Sequence, residues 1–193
     1  MTLRSSILFF LIATIGISQI ACFSVKPDAK KGGGNYFEEF FLGENRYQYF
    51  IKPFVFSKDG ADLSLDITFR YPQKSDTGTL NFTLITNEAQ SKVTGIELAN
   101  NHHTVELDDL KLVYTSRESD NEFHARYSTD IQSDEVVQLL SDSDWTMKLI
   151  YQKGSDLFHP ARRSQRILSQ LQSGLYPRVS QSSDDSFFID SGD

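Results

Sequence analysis

The sequence predicts a mainly β domain, an antiparallel sandwich or open barrel with two short helices, the second near the C-terminus. Three observations support this fold class. Short segments of alternating apolar and polar residues recur at intervals of about ten residues, with turn-forming residues between them. Only two segments have the 3.6-residue period of an amphipathic helix. Hydrophobic residues make up 39% of the 193 residues, which is enough for a packed core.

The clearest predicted strand covers residues 63–71. Apolar side chains occupy every second position and polar residues lie between them, so one face is predicted to be buried and the other solvated. Pro72 ends this strand, and a short loop over 74–78 leads to a second alternating run at 80–84. The two runs therefore predict an antiparallel hairpin.

The remaining predicted strands have less regular patterns. They lie at 47–56, 95–99, 104–107, 110–115, 122–128 and 145–152. Asn100 and Asn101, and likewise Asp108 and Asp109, fall between neighbouring runs, where these residue types favour turns. Pro53 lacks a backbone donor, so its strand is predicted to lie at a sheet edge or to contain a bulge.

Two segments break the strand period and are predicted to be helices. At 133–140, Ser133 supplies a capping residue, acidic residues follow in the first turn, and apolar residues form one face. Pro160 suits the start of a second helix over 161–173, and Gly174 suits its end. One side of this second helix is lined by Ser164, Ile167, Leu168, Leu171 and Leu175. The second helix is therefore amphipathic.

The N-terminus has the organisation of an export signal. Arg4 precedes an unbroken apolar run at 7–17, which is a charged region followed by a hydrophobic region. A membrane-spanning helix needs about 20 apolar residues, and this run stops sooner, at Ser18 and Gln19. The single cysteine of the chain, Cys22, follows directly. The segment is therefore predicted to direct export.

The end of this segment, Ile20-Ala21-Cys22, resembles the lipobox of bacterial lipoproteins. In that family a small residue precedes a cysteine whose thiol is acylated before cleavage. The resemblance implies that residues 1–21 are a signal peptide and that Cys22 becomes an N-terminus carrying acyl chains such as palmitate. The alternative is an ordinary secretory signal cut after Ser18, with Cys22 as a free thiol. A lone free cysteine is poorly suited to an oxidising compartment, which favours lipidation.

Residues 22–35 are predicted to be a lipidated, flexible tether. They contain Pro27, two consecutive lysines and three consecutive glycines, a composition that buries too little apolar surface to order itself. A flexible segment of this length spans on the order of 20 Å. The folded domain is then expected at 36–177. The remaining residues, 178–193, are rich in Ser and Asp and are predicted to form a disordered acidic tail.

Composition and motifs exclude several classes of function. The net charge of -7 argues against nucleic-acid binding, because a phosphate backbone repels an acidic surface. One cysteine allows neither a disulfide framework nor a Cys-based zinc site. The chain has no nucleophile elbow, phosphate-binding glycine loop or paired-histidine zinc motif, so we predict no cofactor and no metal. His102 and His103 are interpreted as part of a turn, since adjacent strand residues point to opposite faces.

Three arginines form a local positive patch in this acidic chain. Arg162, Arg163 and Arg166 are three or four residues apart, so they are predicted to project from one side of the second helix. Guanidinium groups suit bidentate contact with phosphate or carboxylate. The expected ligand is an anionic lipid headgroup, an envelope polysaccharide or an acidic partner. The alternative is a solvated helix face whose arginines pair with the chain's own acidic residues.

An aromatic cluster follows the predicted tether. Tyr36, Phe37, Phe40 and Phe41 have near-helical spacing. We favour a segment packed on the core. The alternative is a segment that contacts a membrane interface or a partner, since amphipathic aromatic residues tolerate such a boundary.

Together these features predict a non-enzymatic binding or assembly module of the bacterial cell envelope. It is expected to be anchored through Cys22 to a membrane, on the periplasmic or surface side, with a protein, an anionic lipid or a polysaccharide as partner. The alternative is a hydrolase of envelope material in which the fold brings together carboxylates such as Asp66, Glu106 and Asp108. A shallow apolar groove favours the binding module, whereas a cleft with two close acids favours the hydrolase.

Overall fold

The structure of the chain, a computed structural model, describes residues 29–30, 36–72, 76–87, 92–119 and 122–181. The predicted signal peptide, the predicted lipidation site Cys22, and most of the predicted tether and tail lie outside these described residues. Within them, no helix combines the length and the apolar character needed to cross a membrane.

Antiparallel β-structure dominates the described residues, which confirms the predicted fold class. The strands are β1 (Ala29–Lys30), β2 (Phe37–Gly43), β3 (Arg46–Lys58), β4 (Ala61–Tyr71), β5 (Thr77–Thr86), β6 (Val93–Ala99), β7 (Thr104–Leu107), β8 (Lys111–Ser119), β9 (Glu122–Gln132), β10 (Thr146–Tyr151) and β11 (Ser155–Pro160). The helices are α1 (Ser133–Leu140), α2 (Arg162–Gly174) and α3 (Tyr176–Gln181). The helices predicted at 133–140 and 161–173 correspond to α1 and α2.

The described strands belong to one antiparallel sheet that is not closed into a barrel. Its main path runs β7-β6-β10-β11-β3-β4-β5-β9-β8, and β2 pairs with β3 and with β1. The outermost strands of the path, β7 and β8, are connected by residues 108–110 alone. From Leu107 to Lys111 this link spans at most about 14 Å, so the sheet must curve until its two ends lie near each other. Accordingly, β7 contacts β9.

The core forms on the face predicted from the alternating pattern of 63–71. Leu63, Leu65, Ile67 and Phe69 of β4 are all buried. Buried side chains from β2 to β7, from β9 to β11 and from all three helices belong to one continuous cluster. This apolar burial is the main favourable contribution to folding.

Strand β3 contains the bulge predicted at Pro53. Its register against β4 shifts between Ile51 and Phe54. Proline has no N–H to donate to a ladder, and the shift takes it out of regular pairing. On its other side, β3 pairs with β2 as far as Ile51 and with β11 from Phe56 onward. The first turn of α2 docks between these two partners.

The folded region extends past Pro177, where the predicted domain ends. Helix α3 continues to Gln181, and Val179 within it is fully buried. The guanidinium of Arg178 lies 2.8 Å from the carboxylate of Glu39 in β2. A buried apolar side chain and an ion pair therefore hold α3 on the domain.

Two residues of the predicted tether belong to the sheet. Ala29 pairs with Phe40 of β2, and Lys30 pairs with Glu39 of the same strand. The aromatic cluster lies on and directly before β2. Phe37 is buried, Tyr36 packs partly buried against the core, and Phe41 is exposed. The cluster is thus divided between the core and the surface.

Candidate functional site

An open apolar groove lies where β5, β9 and β8 adjoin. It has a volume of about 380 Å³. Its lining includes Leu84 of β5, Leu112 of β8, Ala125 and Tyr127 of β9, and Lys92, which directly precedes β6. Apolar lining with a few polar groups is typical of a binding site, and the volume is near the lower end for such sites.

The register of the sheet explains why these side chains meet. Leu84 pairs with Ala125, and Tyr127 pairs with Leu112, so neighbouring strands place all four on one face. The Tyr127 ring stacks on Phe82 with 5.1 Å between ring centroids. Tyr127 and Leu84 are buried, and they form the floor of the groove. The groove is therefore built on the edge of the core.

Strand β8 forms the outer wall and is the edge of the sheet. Among the described strands it pairs with β9 alone. Three consecutive apolar residues on it, Leu112, Val113 and Tyr114, are 45%, 52% and 45% exposed. Edge strands are normally protected by charged or inward-pointing residues, and a contiguous exposed apolar patch marks an interaction site.

A bulge divides this edge strand. Its register against β9 shifts between Leu112 and Tyr114. Leu112 lies opposite Tyr127 on the groove side, whereas Tyr114 lies opposite Arg126 on the other face. Beyond the bulge, residues 114–117 keep a regular ladder with β9. Residues 114–116 therefore form a regular edge that pairs with no other described strand.

The charged side chains around the groove differ in whether another side chain contacts them. His124 Nε2 lies 2.6 Å from the Glu122 carboxylate. The Arg117 guanidinium lies over the Phe123 ring, 5.3 Å from its centroid. Lys92 has no ion pair within the described residues, and none of the described residues lining the groove is acidic. A ligand carboxylate would find its complement at Lys92.

The carboxylates of the predicted hydrolase are placed differently. One Asp66 oxygen lies 2.8 Å from an Arg126 guanidinium nitrogen, and the other accepts a hydrogen bond from the Asn81 amide at 3.0 Å. Because both of its oxygens are engaged in this network across three strands, Asp66 has a structural role in the sheet. Glu106 lies exposed on β7, and Asp108 lies exposed in the following link. None of the three lines the groove.

The predicted arginine patch lies on the exposed side of α2. Arg162, Arg163 and Arg166 are exposed and form no ion pair within the described residues. Arg163 also lines a cleft of about 580 Å³ together with Lys52. The Lys52 ammonium is itself 3.1 Å from Glu38. The three guanidinium groups are thus accessible to an anionic ligand.

His102 and His103 lie in the turn between β6 and β7, and Asn100 organises that turn. The Asn100 side-chain oxygen accepts hydrogen bonds from both histidine backbone N–H groups, at 2.9 and 2.7 Å. His103 pairs with Glu135, whereas His102 lies 3.6 Å from Asp142. The rings therefore face different acids. In the part of the chain that the structure describes, no group of three or more His, Cys, Asp or Glu residues forms a metal site.

No sequence pattern singles out the groove, because its lining comes from segments far apart in the chain. The available local signal is the run Leu112-Val113-Tyr114, three apolar residues in succession where a half-buried strand would alternate. Comparison with protein families, with curated proteins and with solved structures finds no match to this chain.

Proposed function

We propose that this chain is a lipid-anchored module of the bacterial cell envelope that binds a partner protein and has no enzymatic activity. Its ligand is an extended peptide segment with apolar side chains, which docks along β8 and into the adjoining groove. The observation that carries the proposal is the combination of a free, apolar sheet edge with an apolar groove directly behind it. The anchor is the acylated Cys22 implied by the lipobox resemblance.

The free edge of β8 favours a peptide over other apolar ligands. Unpaired backbone N–H and C=O groups on an edge strand form hydrogen bonds with an added strand. An acyl chain would fill the groove but would form no hydrogen bonds with these groups. Residues 114–116 provide the regular ladder, and Leu112 provides the apolar wall.

The side chains that line the groove also determine which residue types the bound peptide segment carries. Alternate side chains of an added strand point to the same face, so the segment has apolar residues at every second position. Lys92 favours an acidic residue at the end that reaches it. The ligand class is therefore an alternating apolar strand with a carboxylate at one end.

A defined peptide tests this proposal. The probe is a fluorescein-labelled heptapeptide in which Val and Leu alternate with Thr and the last residue is Glu. Binding is measured by fluorescence anisotropy to the mature chain held in lipid nanodiscs. We expect Leu112→Glu to weaken binding several-fold, because it places a charge in the apolar wall. Leu157→Glu is the matched control, because Leu157 is a similarly exposed strand residue, at 48%, outside the groove lining.

Two results would contradict the proposal. One is the absence of binding to the parent chain. The other is equal affinity of the parent and Leu112→Glu. A second peptide, in which the central Thr residues are replaced by Pro, separates strand addition from simple apolar contact. It should bind more weakly, since proline lacks the N–H that a ladder needs.

A further inference from the structure

The hairpin between β2 and β3 ends in an exposed apolar tip. Phe41 and Leu42 are 55% and 41% exposed, and they directly precede a tight turn. The turn residues Gly43, Glu44 and Asn45 all have positive φ, at 92°, 52° and 56°. The Phe41 ring packs on the Tyr47 ring across the hairpin, with 5.4 Å between centroids. The tip thus presents two large apolar side chains on a defined hairpin.

The predicted lipid anchor is attached close to this tip. Strand β1 pairs Ala29 with Phe40, the residue next to Phe41. Seven residues lead from Cys22 to Ala29, and seven residues span at most about 25 Å in any conformation. An acylated Cys22 therefore keeps the β1–β2 edge within that distance of the bilayer surface. This step rests on the proposed lipid anchor.

Basic side chains accompany the apolar tip. Leu42 lines a cavity of about 480 Å³ with Arg46 and Arg70, and Asp76 also lines it. Arg46 lies 3.3 Å from the exposed Glu44. Arginine side chains beside exposed apolar residues are typical of surfaces that sit at a membrane interface, where the charged groups reach the headgroups.

We infer that the tip formed by Phe41 and Leu42 contacts the lipid bilayer that holds Cys22 and so orients the domain on the membrane. The apolar side chains insert at the level of the headgroups. Each acyl-chain or side-chain insertion adds to membrane affinity, and two attachment points restrict the rotation that a single tether would allow.

This orientation turns the binding groove away from the membrane. Tyr47, next to the tip, pairs with Tyr71 at one end of β4, whereas Leu63 near the other end pairs with the groove residue Leu84. The eight residues from Leu63 to Tyr71 correspond to about 26 Å along a strand. Strands β4, β5 and β9 also separate β3 from the edge strand β8. The groove therefore stays accessible to an envelope partner.

A single introduced thiol tests the inference. In an acylated chain the Cys22 sulfur is blocked, so Leu42→Cys provides the one free thiol for a polarity-sensitive fluorophore. The full-length protein is purified from membranes and reconstituted in vesicles of phosphatidylethanolamine and phosphatidylglycerol. Leu157→Cys, labelled in the same way, is the matched exposed control.

We expect the fluorophore at position 42 to be quenched by phospholipids that carry a nitroxide and to be several-fold less accessible to aqueous iodide than the fluorophore at position 157. Phe41→Cys should behave like Leu42→Cys. Equal iodide access at positions 42 and 157, with no quenching by nitroxide lipid, would overturn the inference.

The mass of the N-terminal peptide separates failure of the tip contact from failure of the proposed lipid anchor. With Cys22 acylated, such a result rejects only the membrane contact of the tip. An unacylated Cys22 rejects the lipid anchor, and the inference with it.

Discussion

Ser164 in α2 accepts a hydrogen bond on its side-chain oxygen from the backbone N–H of Val55 in β3, at 2.8 Å. The Val55 carbonyl in turn accepts from the backbone N–H of Ala161, at 2.9 Å. The start of α2 thus satisfies both backbone groups of β3 at a position between its two strand partners. At this position of β3, the buried Ser164 hydroxyl and the Ala161 N–H make the hydrogen bonds that a neighbouring strand would otherwise make.

Removal of this hydroxyl should destabilise the domain. We expect Ser164→Ala to lower the free energy of unfolding by about 1 kcal/mol, because the part-buried Val55 N–H loses its hydrogen-bond partner. Urea unfolding followed by circular dichroism measures the change. Ser169→Ala is the control, because the exposed Ser169 hydroxyl bonds only to a carbonyl of its own helix. Equal losses in the two variants would show that the contact with Val55 contributes nothing.

Tyr49 should make the fold sensitive to alkaline pH. Burial, and then the charge of Glu39, raise the pKa of the Tyr49 hydroxyl well above its ordinary value of 10.0. The unfolded chain therefore releases this proton at a lower pH than the native chain does. This contribution to stability is complete below about pH 10 and is lost as the pH rises further.

The variant Tyr49→Phe tests this pH dependence. Between about pH 9 and about pH 11, its unfolding free energy should fall less steeply than that of the parent, by up to about 1.4 kcal/mol per pH unit. Urea unfolding at several pH values measures the slopes. Tyr114→Phe, which changes an exposed tyrosine, is the control. Parallel slopes for the parent and Tyr49→Phe would contradict the assignment.

The arginine patch should affect binding of anions and not stability. We expect the triple change of Arg162, Arg163 and Arg166 to Gln to alter the free energy of unfolding by less than about 1 kcal/mol, since the three are exposed and unpaired within the described residues. The same change should weaken binding of a soluble polyanion, polygalacturonate, at low salt. Unchanged binding, measured by calorimetry, would identify the patch as an ordinary solvated surface.

The proposed lipid anchor has its own test at Cys22. Cys22→Ser should abolish acylation and release the protein from membranes or leave it as an uncleaved precursor, because stable anchoring depends on several acyl chains at about 0.8 kcal/mol per buried CH₂. Membrane fractionation and the mass of the N-terminal peptide measure these outcomes. A soluble mature chain beginning at Gln19 would instead identify an ordinary secretory signal.

Local patterns predict the local structure of this chain well. The alternation in 63–71 identifies the buried face of β4, and the apolar periods at 133–140 and 161–173 identify α1 and α2. These features depend on neighbouring residues. The predicted caps are wrong, because the N-cap of α1 is Gln132, without a side-chain hydrogen bond, and Gly174 lies within α2. Helix α3 was harder to predict, because Val179 is a single apolar residue in a polar segment and its burial depends on contacts with distant elements.

The site could not be predicted in the same way. Pairing of β5 with β9 brings together groove residues about 40 positions apart, such as Leu84 and Ala125, and no local period encodes that order. The sheet order also decides that β8 is an edge, and exposure of Leu112 follows from that position. By contrast, the side on which Arg162 and Arg166 lie follows from helix geometry alone.

Hydrogen–deuterium exchange along β8 tests the proposed binding mode most directly. The mature chain in nanodiscs is measured by mass spectrometry with and without a saturating amount of the alternating heptapeptide. We predict slower exchange in β8 (Lys111–Ser119), where the added strand supplies hydrogen bonds, and unchanged exchange in the turn between β2 and β3. Binding of the peptide with no change in the exchange of β8 would contradict it.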